Sequence, residues 1–315
     1  AQILNIKSDA SVADAAVIKD FIDTNTIPSS NWTMHFVFFE TDKVRFGDFS
    51  NVSKFENIDI ASAAFNTTIG PFSELFGAFD MKISSNGKKL YLVEWNNKKI
   101  FQYTLGTAFD VSSTNLDGFF DMSGFPIPAD KMEVSQDGRK MYLSLGGNTA
   151  KIRQYSIPEG SEFDILSATF DNITIEGSSI SGSTGDRPQG LRISPNGEKF
   201  YVQIKETNTI YEINLSTPYD ISTASVVSNG VLSDSSIRAF QINDIGTQII
   251  VVDFNNDKVR QYSLSEPFEL ESSTQITEID ISSETGTPTG IDFNKDGTKM
   301  YISDANNFIH TYDVK

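Results

Sequence analysis

Any chemistry in this chain has to come from amides, carboxylates and a few aromatics. The sequence holds two histidines and no cysteine, which excludes thiol catalysis, thiolate metal sites and disulfides. His35 and His310 both fall inside alternating, strand-like runs, where an imidazole usually packs. No Gly-x-Ser-x-Gly or His-Glu-x-x-His motif occurs, and no glycine-rich loop opens a helix, so the usual scaffolds for acyl transfer, zinc chemistry and phosphate binding are missing. What recurs is a set of short loops rich in Asn and Asp. They carry Trp95-Asn96-Asn97, Asn148, Asn208, Asn255-Asn256 and Asn306, and a further loop carries Asp186-Arg187. Amides and acids of this kind are common turn formers. Gathered on one surface beside an exposed Trp, they would also suit sugar hydroxyls or a protein partner.

The elements that position these loops repeat. Five segments, beginning at about Phe79, Lys131, Leu191, Phe240 and Ile291, share an alternating run, a tight turn and a second alternating run. Their turn glycines are Gly87, Gly138, Gly197, Gly246 and Gly297. Asn-Gly or Asp-Gly precedes the second run in four copies and Ile-Gly in the other, a strong hairpin signal because these turns need positive φ. A third run follows each hairpin: KIFQYTL, KIRQYSI, TIYEINL, KVRQYSL and FIHTYDV. With a less regular fourth strand, the unit is a propeller blade.

The spacing of the glycines averages 52.5 residues, and 315 residues hold six such periods. The expected fold is therefore an all-β, six-bladed β-propeller with four antiparallel strands per blade. The expected blades run over 12–72, 73–126, 127–182, 183–235, 236–283, and 284–315 together with 1–8, in a single domain. The segment from Ile27 to Phe39, with Trp32 in the glycine position, reads as a degenerate first copy. The run Gln2 to Lys7 is expected to close the ring as the last blade's fourth strand, which removes two exposed edges. Ser11 with Asp14 resembles a capping box and predicts a helix to about Asp20.

Blade topology sorts the loops. The glycine turns between strands one and two lie on one face, here the lower. The acid-aromatic pairs after strand three (Phe109-Asp110, Phe163-Asp164, Tyr219-Asp220, Phe268-Glu269) lie there too, as wedges and turn caps. The Asn-rich loops between strands two and three lie on the upper face, with Glu74, Asp130, Asp186, Arg187, Arg238 and Thr287 of the between-blade loops. This also separates Asp296 (lower) from Asp304 (upper), so these acids do not form one site.

A formal net charge of −17 disfavours nucleic acid and anionic membranes, which need clustered Lys and Arg. No stretch approaches membrane-span length. The repeat, (S/N)x(D/N)G(T/K)KMY followed by (V/I)xQYxLSxPFDIS, resembles the propeller repeats of the YVTN, NHL and gluconolactonase-like superfamilies, and is similar to uncharacterised propellers of marine bacteria and their phages. The lactonase resemblance implies a divalent metal held by central Glu, Asn and Asp side chains. The strand-one positions read as facing the axis are Asp80, Met132, Leu191, Gln241 and Asp292, and these do not reproduce that set. The reading is a non-enzymatic binding or structural propeller without a cofactor. It would contact a protein assembly partner or a surface glycan through its upper loops, on a virion or outside the cell. The alternatives are a lactonase-like hydrolase using a divalent cation such as calcium, and a cytoplasmic setting.

Overall fold

The computed structural model describes Val37–Glu40, Lys43–Phe46 and, from Ile58 onward, every residue except Asn148, Thr149, Asp234 and Ser235. The chain divides into two compact units, Ala1–Ser53 and Lys54–Lys315. In the first, β1 (Val37–Glu40) and β2 (Lys43–Phe46) pair as an antiparallel hairpin. The helix expected at Ser11 to Asp20 and the run Gln2 to Lys7 lie outside the described residues.

The second unit is a ring of five four-stranded antiparallel blades. Blade one holds β4 (Ala78–Ile83), β5 (Lys89–Glu94), β6 (Lys99–Leu105) and β7 (Thr114–Asp121). Blade two holds β8 (Ala129–Val134), β9 (Lys140–Leu145), β10 (Lys151–Ser156) and β11 (Thr169–Glu176). Blade three holds β12 (Pro188–Ile193), β13 (Lys199–Ile204), β14 (Thr209–Leu215) and β15 (Ala224–Ser233). Blade four holds β16 (Ile237–Ile242), β17 (Gln248–Asp253), β18 (Lys258–Leu264) and β19 (Ser273–Asp280). Blade five holds β20 (Pro288–Phe293), β21 (Lys299–Asp304), β22 (Ile309–Asp313) and, as its outermost strand, β3 (Ala64–Ile69). The first strands β4, β8, β12, β16 and β20 line the axis, each beside the next, with β20 returning to β4.

The count is five, not the expected six. Dividing the whole length by the period credited the first unit with a blade, whereas Lys54–Lys315 alone holds five periods. The closing strand is also different. β3 pairs with β22 in the register Ile309↔Ile69 to Asp313↔Ala64, filling the edge assigned to Gln2–Lys7. Ahead of β3, Asp59 accepts from Ala61 N–H at 3.1 Å and caps a 3-10 turn at Ile60–Ser62. This is the same turn that Asp110, Asp164 and Asp220 cap ahead of β7, β11 and β15. The closing strand is thus an ordinary fourth strand supplied from the other end of the ring.

The lower face holds the blades together by repetition. Phe109, Phe163, Tyr219 and Phe268 take positive φ of 61°, 68°, 64° and 65°. Each donates its backbone N–H to the carbonyl of the turn glycine (Gly87, Gly138, Gly197 or Gly246) at 2.7–2.9 Å and lays its ring on it. A Cβ at any of those glycines would come within 2.3–2.7 Å of the ring, so the position accepts nothing larger. From the preceding blade, Tyr91, Tyr142, Tyr201 and Tyr301 donate their hydroxyls to the carbonyls of Phe163, Tyr219, Phe268 and Phe109 at 2.6–2.8 Å. On strand three, Gln102, Gln154, Gln261 and Glu212 accept from the first residue of the next blade's 3-10 turn at 2.8–3.3 Å. Blade four has Ile250 in the tyrosine position, and it packs in a common apolar cluster with Ile58 and Ile60.

Candidate functional site

Every first strand carries a β-bulge near its start, between Ala78/Asp80, Ala129/Lys131, Pro188/Gly190, Ile237/Ala239 and Pro288/Gly290. A bulge adds one residue and re-aims its side chain. The inserted residues are Phe79, Asp130, Gln189, Arg238 and Thr289. Below them the alternation resumes, with Asp80 and Lys131, then Lys82, Glu133, Arg192, Gln241 and Asp292. Met132 and Leu191, read from sequence as axial, instead lie in apolar clusters between blades; the residues in register with Gln241 and Asp292 are Glu133 and Arg192, one position further on.

The lower axis is filled by a closed circuit with one side chain from each blade. Lys82 Nζ lies 3.1 Å from Glu133 Oε2 and 3.9 Å from Asp292 Oδ2. Arg192 Nη1 reaches Glu133 Oε2 at 3.1 Å and its Nε donates to Gln241 Oε1 at 2.5 Å. Gln241 Nε2 donates to Asp292 Oδ1 at 2.7 Å. Two cations, two carboxylates and an amide balance. One layer up, Lys131 is 2% exposed. Its Nζ donates to Phe79 O at 2.6 Å and to Thr289 O, and lies 3.5 Å from Asp80 Oδ1. Burial pulls its pKa down to about 8, against the attraction of Asp80.

The mouth of the axis, on the upper face, is less balanced. Arg238 of blade four reaches to blade one, its guanidinium carbon 5.2 Å from the centre of the Phe79 ring and 5.4 Å from that of Phe254. Phe79 stacks in turn on Trp95, with centroids 5.7 Å apart and planes at 20°. Arg238 Nε is buried and makes no hydrogen bond. Arg187 and Lys205 stand nearby, joined by a backbone bond from Lys205 N to Arg187 O at 2.9 Å. Burial lowers the pKa of Lys205, and Arg187 and Arg238 lower it further. Burial lowers Arg238 too, against the pull of Asp130 and Asp80. Asp130 is raised by its own burial despite these cations.

Most of the residues singled out from sequence serve their own turns. Asn96 and Asn97 donate backbone N–H to Glu94 at 2.9 and 2.7 Å, and Asn96 Nδ2 donates to Phe76 O. Asn255 and Asn256 donate to Asp253, and Asn306 to Asp304. Asn208 closes its turn at φ 50°. Asp186 is buried, with an Oδ2 that has no partner. Arg187 is clasped by Glu206, with Nε to Oε1 at 2.6 Å and N to Oε2 at 2.7 Å. Asn148 lies outside the described residues. Trp95 is 37% exposed. The structure gathers Arg187 with Lys205, Asp130 and Arg238, and places Trp95 on Phe79. Asp130 and Arg238 are among the upper-face loop residues expected from sequence, though not among the binding candidates; Phe79, Lys205 and Phe254 are not among those candidates either. The bulges, invisible as a pattern in one strand, bring in Phe79, Asp130 and Arg238, whereas Lys205 and Phe254 come from the loops that follow β13 and β17. His310 is buried in blade five, Nε2 3.2 Å from Asp304 Oδ2 and Nδ1 3.0 Å from Thr68 Oγ1, so it bolts the closing strand.

The residues present do not fit the divalent metal that the lactonase resemblance implies. Among the described residues no three His, Asp or Glu side chains gather as a ligand set. Asp80, Glu133 and Asp292 are each engaged by a lysine or arginine.

No family model matches the chain, and no curated protein does. Among solved structures it is similar to a protein called a "putative 6-phosphogluconolactonase" from Bacteroides uniformis, at 14% identity and TM-score 0.46, over 72% of this chain and 64% of that one. It is also similar to a functionally unknown protein from Desulfotomaculum acetoxidans, at 12% identity and TM-score 0.45, over 72% and 79%. A protein from Lactobacillus plantarum matches at 13% identity and TM-score 0.43, over 72% and 64%. The chain thus spans about 64% of the length of two of these proteins. At such identities, and with TM-scores below 0.5, these likenesses bear on neither the fold nor the activity of this chain.

Proposed function

We propose that the ring is a binding propeller that works through its upper face, with Trp95 as the anchor for a surface glycan. The observation that carries this is the unequal use of the two faces. Below, turn glycines, aromatics and tyrosines are consumed in joining blades. Above, an indole more than a third exposed lies flat on Phe79, a platform of the kind sugar rings stack on. A setting outside the cell or on a virion goes with this reading, and the net charge of −17 would favour solubility there. Labelled protein on a glycan array should give sugar-specific signal that Trp95→Ala removes. A signal unchanged by Trp95→Ala, or capture of a protein partner through another face, would replace the reading. Lactone turnover sensitive to a chelator would do so in favour of the hydrolase.

A further inference from the structure

We infer that the mouth of the axis is an oxyanion site, in which Arg238, Lys205 and Arg187 hold the carboxylate or phosphate of an acidic sugar. The sugar part rests on the glycan reading above; the anion part does not. Three observations carry it. Arg238 lies over two aromatic rings, 5.2 and 5.4 Å from their centres, its buried Nε has no hydrogen-bond partner, and among the described residues no carboxylate forms an ion pair with it. A guanidinium held this way has its donors in place before a ligand arrives, and guanidinium–oxyanion pairs are among the stronger hydrogen bonds. Second, Arg187 is held by Glu206 through Nε and its main-chain N–H, and its carbonyl accepts from Lys205. Arg187 and Lys205 stand close enough to Arg238 to act on each other electrostatically, in a chain whose net charge is −17, and the Glu206 carboxylate offsets part of their charge. Their mutual effect on Lys205 is that of like charges crowded together, which an anion would relieve. Third, Phe79 joins the two readings: Trp95 stacks on it with centroids 5.7 Å apart and the Arg238 guanidinium lies 5.2 Å from its centre, so the indole and the cation share one ring at the mouth. Asp130 bounds the site on the blade-two side and opposes the anion.

The test is titration calorimetry of the intact chain with glucuronate, glucose 6-phosphate and neutral glucose, at low and high salt. Glucuronate and glucose 6-phosphate should bind saturably, and glucose at least ~10-fold more weakly, about 1.4 kcal/mol. Arg238→Gln should weaken the anions by about tenfold or more. Lys205→Gln should also weaken them, and it provides a second readout should Arg238→Gln fail to fold. Asp130→Asn should tighten them several-fold, which no general damage to the fold would do. Lys88→Gln, on the lower face, should change nothing. No saturable heat at millimolar anion, or an equal loss in Lys88→Gln, overturns the inference. Neutral sugars alone on the array, with no heat from either anion, keep the glycan reading and remove this one. Anion binding with an empty array does the reverse.

Discussion

On the lower face one set of contacts recurs in four copies; on the upper face three blades share an acid that closes the turn, but the large side chains differ from blade to blade. Below, a glycine of positive φ, the ring laid on it and a hydroxyl from the preceding blade occur in four copies. A defect in one copy is shared by the others. Above, Trp95 occurs once, Arg238 once, and the Arg187–Glu206 clasp once. Repetition marks what the ring needs in order to exist, and singularity marks what one ring can do that another cannot. The axis joins the two, since its circuit uses one unlike residue from each blade.

The sharpest break in this comparison should come from that circuit. Arg192→Leu leaves Glu133 buried without its guanidinium, and should cost about 3–5 kcal/mol, seen as a large fall in the urea midpoint. A change under 1 kcal/mol would show that the blades, not the axis, carry the ring. Lys131 offers a test by pH. Its folded pKa, about 8, lies below the usual ~10.4, so between those values the unfolded chain binds more protons and stability rises with pH. Relative to Lys131→Met, the wild type should gain about 2 kcal/mol from pH 8 to 10; a flat difference would refute the depressed pKa. Tyr91→Phe removes one hydroxyl latch and should cost about 1 kcal/mol, while Tyr301→Phe, across the closing seam, should cost the same if the seam is an ordinary junction. Asn86→Ala, which deletes the acceptor of Ser84 Oγ and Lys88 N, should cost about 1 kcal/mol and spare binding. Trp95→Ala should move the melting temperature least, by about 1–2 °C, and binding most.

The repeat was legible because hairpin turns, alternation and the recurring QY strand are local signals. The faces were legible too, once strand order was assumed. The number of blades was not, since length divided by period counts any residue as ring. Ile58-Asp59-Ile60 carries the acid cap without its aromatic, which hid the segment that closes the circle. The axial residues were misread by a single position at Met132 and Leu191, while the loop asparagines set their backbone N–H groups on Glu94, Asp253 and Asp304, which leaves their expected part in binding to the glycan test. A bulge depends on what the neighbouring strand does, which one strand's sequence does not carry.

The closing strand also has a history within each molecule's synthesis. Ala64–Ile69 is made some 240 residues before the β22 strand it pairs with. At about 5–20 residues per second, it waits roughly 12–48 s with no partner for its edge. Its composition suits the wait. The strand is six residues long and reads AFNTTI, with five of its residues exposed in the finished ring, and Asn, Thr and shortness blunt an edge that another nascent chain could otherwise join.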